Sequence, residues 1–202
     1  MIIEIVGLPG SGKSSLYQKL INNDNFILDL FLKRESIKLY IIYAFFLPLF
    51  LKVLLIGRKR VYLLNIRNII RMYFHNVQKN NNIIIDQGPF FDLVELINEK
   101  ILIKKSFYCF ILIYFIKNIK NYSIIHIDVP HELALNRINL RAKDHRIKNK
   151  NKLKAFKFLK NFDLTIKFAF SQIHKTSILE LDGREDLQIN YDKINEYFKY
   201  NK

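Results

Sequence analysis

Apolar positions along this chain fall into two kinds of run, and their order predicts strands alternating with helices. Ile2-Ile3-Glu4-Ile5-Val6, Ile83-Ile84-Ile85 and Ile124-Ile125-His126-Ile127-Asp128-Val129 are short, β-branched and almost continuously apolar. That is the pattern of parallel strands buried on both faces. Phe26-Ile27-Leu28-Asp29-Leu30 and Ser177-Ile178-Leu179-Glu180-Leu181 read as two further strands. Helical spacing predicts a helix over 13–21 with Leu16, Leu20 and Ile21 inward, ended by Asn22-Asn23-Asp24-Asn25. It predicts another over 58–79 carrying Leu63, Leu64, Ile66, Ile69, Ile70, Phe74 and Val77, and two more over 90–100 and 106–116. Pro130 opens a helix with Glu132 in its first turn, where an acidic residue is favoured. Leu153, Phe156, Leu159, Phe162, Ile166, Ala169, Phe170 and Ile173 form one apolar stripe, and 191–200 is a closing helix. The fold class is therefore α/β, and at 202 residues the chain suits one domain.

One stretch breaks the pattern. Leu39 to Ile56 is apolar apart from Lys52, and it precedes Gly57-Arg58-Lys59-Arg60. A membrane span here would separate the first strand from the strand at 83–85, although both must belong to one sheet. Lys52 and Pro48 also argue against it. We expect an apolar helical insert at about 37–57, broken near Pro48. It would pack in the core, on a partner, or on a membrane surface with the basic cluster toward anionic lipid.

Candidate chemistry begins directly after the first strand. Gly7-Leu8-Pro9-Gly10-Ser11-Gly12-Lys13-Ser14 reads G-x-x-x-x-G-K-S. Its glycines allow a tight turn with N–H groups pointing inward, and the following helix adds its positive end. Ser15 lies within the same cradle. In this pattern Lys13 neutralises phosphate oxygens and the Ser14 hydroxyl ligates Mg²⁺. Asp86, at the end of the strand over 83–85, is the second anchor, as a Mg²⁺ ligand or as acceptor of the nucleophile's proton.

Arg137, Arg141 and His145 lie four apart, with Asp144 and Arg146 beside them. Guanidinium groups so placed stabilise the charge spread over a transferring phosphoryl group. Between Arg137 and Lys160 the only acidic residue is Asp144, so a basic lid is expected at about 137–152. Arg67, Arg71 and His75 share a second face, which reads as a solvated surface or as charge presented to an acceptor. Lys33, Arg34 and Glu35 follow the second strand in a loop.

Composition narrows the classes. Half the residues are hydrophobic and the formal net charge is +15, which attracts polyanions without choosing among nucleotides, nucleic acid and acidic lipid. Stacking platforms and base-reading motifs of nucleic-acid binders are not apparent. The single cysteine, Cys109, sits in an apolar run, so no disulfide framework is possible and the thiol reads as buried. The N-terminus starts with a strand and lacks a signal-peptide pattern, which points to the cytoplasm, with peripheral membrane contact left open.

Taken together, these segments resemble P-loop kinases of the thymidylate kinase and deoxynucleoside kinase type. The resemblance rests on Gly7 to Ser14, on Ile84-Ile85-Asp86-Gln87-Gly88, on His126-Ile127-Asp128-Val129-Pro130 leading to Arg137, Arg141 and Arg146, and on Leu181-Asp182-Gly183. It implies a three-layer fold with a parallel five-stranded sheet in the order 2-3-1-4-5. It further implies ATP and Mg²⁺, an arginine-bearing lid, and an adenine pocket lined partly at Asp182 and Gly183. Where the family carries an arginine after the carboxylate, this chain has Gln87, so the acceptor is not named by the motif.

The reading that follows is an ATP-dependent kinase with Lys13, Asp86, Arg137, Arg141 and Arg146 in catalysis and a small-molecule acceptor. The alternative is a P-loop ATPase or nucleotide-binding regulator that docks to a membrane or protein through its apolar insert; a homodimer is compatible with either. A GTPase is disfavoured, because Asp86-Gln87-Gly88-Pro89 is not D-x-x-G and Asn149-Lys150-Asn151-Lys152 lacks the aspartate that reads guanine.

Overall fold

The computed structural model describes residues 1–23, 26–27, 37–55, 60–74, 82–141, 145, 147–148, 151–173 and 177–200. In chain order the elements are β1 (Ile2–Gly7), α1 (Lys13–Asn23), β2 (Phe26–Ile27), α2 (Ile37–Phe45), α3 (Leu47–Leu55), α4 (Arg60–Phe74) and β3 (Asn82–Ile85). They continue with α5 (Pro89–Asn98), α6 (Phe107–Lys117), β4 (Tyr122–Asp128), α7 (His131–Leu140), α8 (Lys152–Gln172), β5 (Ser177–Asp182) and α9 (Leu187–Tyr200).

All strand pairs are parallel. The four longer strands run in the order β3-β1-β4-β5, and the two-residue β2 adds at the β3 edge with Phe26 opposite Asn82 and Ile27 opposite Ile83. Alternation along β1 sorts its side chains between two cores. Ile2 and Val6 enter the larger core beneath α3 to α8, whereas Ile3 and Ile5 enter the smaller one with Leu16 and Leu20 of α1 and Ile194 and Phe198 of α9. The result is a three-layer α/β domain. β1 lies between β3 and β4. The loop after it therefore emerges from the centre of the sheet, at the carboxyl edge where open α/β sheets place ligands.

The apolar stretch forms two helices, and Phe46 is the residue between them. Pro48 falls in the first turn of α3, a position that needs no N–H. The expected apolar insert is corrected here. Phe46, Leu49 and Val53 are buried in the main core with Ile66 and Ile70 of α4, so the segment is part of the domain. Its outer positions Ile41, Phe45, Leu47, Leu51 and Leu54 are exposed. Among the described residues no helix is long and apolar enough to cross a membrane.

Other boundaries shift for local reasons. α7 ends at Leu140, so Arg141 caps the helix and His145 lies beyond it rather than on one face with Arg137. Ala155, and not Leu153, starts the inward stripe of α8; Leu153 is 76% exposed, the second residue of a helix whose first residues face outward. α9 begins at Leu187, four residues before the expected start. Cys109 is a free, buried thiol on α6, whose first turn is capped by the Ser106 hydroxyl. Burial pushes that thiol up to about 11, with Lys104 opposing.

Candidate functional site

Backbone geometry at the β1–α1 turn matches what a phosphate cradle requires. Gly10 and Gly12 have φ values of +88° and +100°, in the left-handed region that side chains rarely adopt. Gly7 has no room for a side chain, since a β-carbon there would lie 2.6 Å from the Ile127 carbonyl oxygen. Gly10 meets α7 itself, and a β-carbon there would lie 2.3 Å from the Ala134 carbonyl oxygen. That approach brings Arg137, one turn further along α7, to the loop.

Lys13 is folded back onto the cradle. Its Nζ donates to the carbonyl oxygens of Gly7 at 2.7 Å and Leu8 at 2.9 Å, and stands 5.9 Å from the centre of the Phe91 ring. Burial lowers the ammonium to about 8; Asp86 opposes that shift and Arg141 adds to it. Ser14 Oγ donates to Asp86 Oδ2 at 3.4 Å, a long contact between groups that the sequence places 72 residues apart. Asp86 Oδ1 and Ser11 Oγ are buried without a hydrogen-bond partner. Such orphaned oxygens beside an ammonium fit a site built for a cation and a polyanion. Ser14 and Asp86 would hold Mg²⁺, and the loop amides, Ser11 and Lys13 would hold phosphates.

A cavity of about 600 Å³ adjoins the loop. Gly10, Ser11, Gly12 and Ser15 form its floor, Arg137, Leu140 and Arg141 one wall, and Gly183 to Leu187 with Asn190 the other. Gly183 belongs to this wall because its N–H donates to Asp128 O at 2.6 Å and a side chain would strike that carbonyl. Asp182 differs from Gly183. Its carboxylate is paired with Arg184 at 2.7 Å and lines a separate cavity with Asp128, His131 and Asp163. Arg146 lies outside the described residues, as do 142–144, 149 and 150 of the expected basic lid, together with His75, Lys33, Arg34 and Glu35. Arg67 and Arg71 lie on α4 and do not line the cradle cavity.

Sequence reasoning passed over Glu4, Asn65, Glu95 and Asp92. Asn65 Nδ2 donates to Glu95 Oε2 at 2.9 Å between α4 and α5. Asp92 is buried, and burial and Glu4 hold its carboxyl well above the usual range. A polar residue at a core-facing position of an otherwise apolar element was the available signal.

Comparison with known proteins gives structural likeness only. No family model matches the chain, and no curated protein matches it by sequence. A structure of deoxyadenosine kinase from M. mycoides with products dCMP and a flexible dCDP matches at TM-score 0.58 and 17% identity, covering 100% of both chains. The same kinase with bound dATP matches at TM-score 0.60 and 16% identity, covering 98% of this chain and 100% of that one. With bound dCTP the figures are 0.55, 16%, 99% and 100%. The chain has a deoxynucleoside-kinase-like P-loop fold. In this chain the β1–α1 loop carries Lys13 and Ser14, the latter bonded to Asp86 after β3, and α7 brings Arg137 to the same loop.

Proposed function

We propose that this protein is an ATP-dependent kinase that transfers a phosphoryl group to a deoxynucleoside-type acceptor. The observation carrying this reading is the meeting of Lys13, Asp86 and the α7 arginines around one cradle, each from a different element. The likeness to deoxyadenosine kinase supports a nucleoside-type acceptor. Gln87 supports an acceptor without phosphate, because an amide at that position supplies no charge to hold one.

The cradle amides and Lys13 hold the donor phosphates, and Lys13 must leave the Gly7 and Leu8 carbonyls to do so. Mg²⁺ bound by Ser14 and Asp86 would neutralise charge between the phosphates. Arg137 and Arg141 stand on the cavity side of the loop, where they offset charge on the transferring group. The Asp86 carboxylate also offers an oxygen to receive the acceptor hydroxyl's proton. The wall from Gly183 to Leu187 closes the end of the cavity where a donor base would lie.

The test is incubation with ATP and Mg²⁺ against a panel of nucleosides, nucleotides and sugars, read by product mass, with Lys13→Ala as control. A nucleoside monophosphate as product supports the proposal. ATP turnover with no phosphorylated acceptor would favour a P-loop ATPase or regulator. The exposed apolar side chains of α2, α3 and α6, among them Phe45, Leu51, Leu54 and Phe107, favour that second reading by offering a surface for a protein partner.

A further inference from the structure

Among the described residues Glu4 is a buried acid in the central strand, with no exposed surface. Its side chain leaves β1 toward the N-terminus of α5. Oε1 accepts from the N–H of Gly88 at 3.1 Å and of Phe91 at 2.7 Å, and Oε2 accepts from the N–H of Phe90 at 3.0 Å and from the Tyr122 hydroxyl. Residue 89 is proline. The carboxylate therefore takes every N–H that residues 88 to 91 possess.

Helix starts leave such groups without intrahelical partners, and a local side chain ordinarily caps them. α5 has no such cap, since its N-cap residue is Gly88 and no side-chain cap bond forms. Glu4 does the capping from a different element, the strand held on both sides by β3 and β4. The fit is tight on the other side too. A β-carbon at Gly88 would lie 2.6 Å from Glu4 Oε2, so glycine there lets the carboxylate reach the turn.

Asp86 lies two residues before Gly88, between the end of β3 and the clamped turn. We propose that Glu4 is a positioning residue for phosphoryl transfer: it ties the turn after Asp86 to the centre of the sheet and so holds Asp86 opposite Ser14. This rests on the kinase reading above. It goes beyond that reading by assigning a role to a carboxylate that touches neither phosphate nor acceptor. It also means that the positive end of α5 is neutralised from within and is not open to a ligand.

The test uses Glu4→Gln, which keeps shape and removes the charge, in the full chain. The amide can accept on one side only, leaving the Phe90 N–H facing another donor. The expected result is a kcat lowered about tenfold or more with the affinity for ATP in the absence of Mg²⁺ within about twofold, because Lys13 and the cradle are untouched. Gly88→Ala, at a φ of −119° that alanine adopts freely, pushes the carboxylate away from the opposite side and should reproduce the same split. It replaces the first variant if that one does not fold. A normal kcat with only a lower melting temperature in either variant overturns the proposal. Two readouts need no turnover: amide exchange at residues 86–92, and the gain in ATP affinity on adding Mg²⁺. Both should change in Glu4→Gln, with faster exchange and a lost Mg²⁺ gain. If the wild type phosphorylates no acceptor, the kinase reading fails, and these two readouts still decide whether Glu4 positions Asp86; unchanged values overturn it.

Discussion

The carbonyl oxygen of Ala134 on α7 lies where a side chain of Gly10 would begin, 2.3 Å from its β-carbon position. The phosphate loop and the helix that carries Arg137 are therefore in backbone contact. Gly10→Ala must move one of them and must also adopt a φ of +88° with a side chain. It should destabilise the fold by about 2–4 kcal/mol in thermal or urea unfolding. ATP affinity should fall at least about tenfold. Gly12→Ala shares the strain, but nothing lies within 4 Å of its β-carbon position, so its stability loss should be the smaller of the two.

Lys13 gives a pH signature. The unfolded chain holds this proton up to about pH 10.5, and the folded one only to about pH 8. The group therefore costs the folded state stability below pH 8, a cost relieved as pH rises from 8 to 10.5. Bound phosphate favours the charged form, so nucleotide binding must take up a proton where the free protein has lost it. Calorimetry in buffers of different protonation enthalpy should show uptake rising between about pH 7 and pH 9. Lys13→Ala should abolish the uptake along with transfer.

Asp86→Asn keeps size and hydrogen bonding but removes the charge. Turnover should fall about a hundredfold or more, in line with loss of a group that holds the metal or the reacting proton. Binding of ATP without Mg²⁺ should hold or improve, because a carboxylate near the phosphates is gone. Titration by fluorescence with and without Mg²⁺ reads both.

The apolar helices separate into two classes of position. Phe46→Ala removes a ring packed against Phe50, Tyr108 and Phe115 and should cost about 3–5 kcal/mol in chemical unfolding. Leu51→Ala, at a side chain 51% exposed, should change stability by no more than about 0.5 kcal/mol. Equal losses at the two positions would contradict a core role for the α2–α3 segment.

The sheet and the cradle were legible because their signals are local. Continuous Ile runs announce strands covered on both faces, and G-x-x-x-x-G-K-S requires its own geometry whatever surrounds it. Asp86 could be named because a carboxylate at the end of such a run has one place to go. α3 was harder, since an unbroken apolar run looks the same in a core, at an interface and in a bilayer; only the burial of Phe46, Leu49 and Val53 tells them apart. The extent of α7 was overread because four-residue spacing of Arg137, Arg141 and His145 is neutral about whether the helix lasts that long. Glu4 stood out as a polar residue in an apolar run, but its role was not legible. Its partners are backbone amides 84 to 87 residues away, which no side-chain pattern records.

The thiol of Cys109 carries a practical consequence. It is the chain's one cysteine, buried in α6 and held protonated far above neutral pH. Thiol-directed dyes need a thiolate that they can reach, so the native protein is silent to them. A cysteine introduced at exposed Asn139 on α7 would be the single reactive handle on the molecule. Its fluorescence would follow the arginine-bearing helix directly as nucleotide arrives.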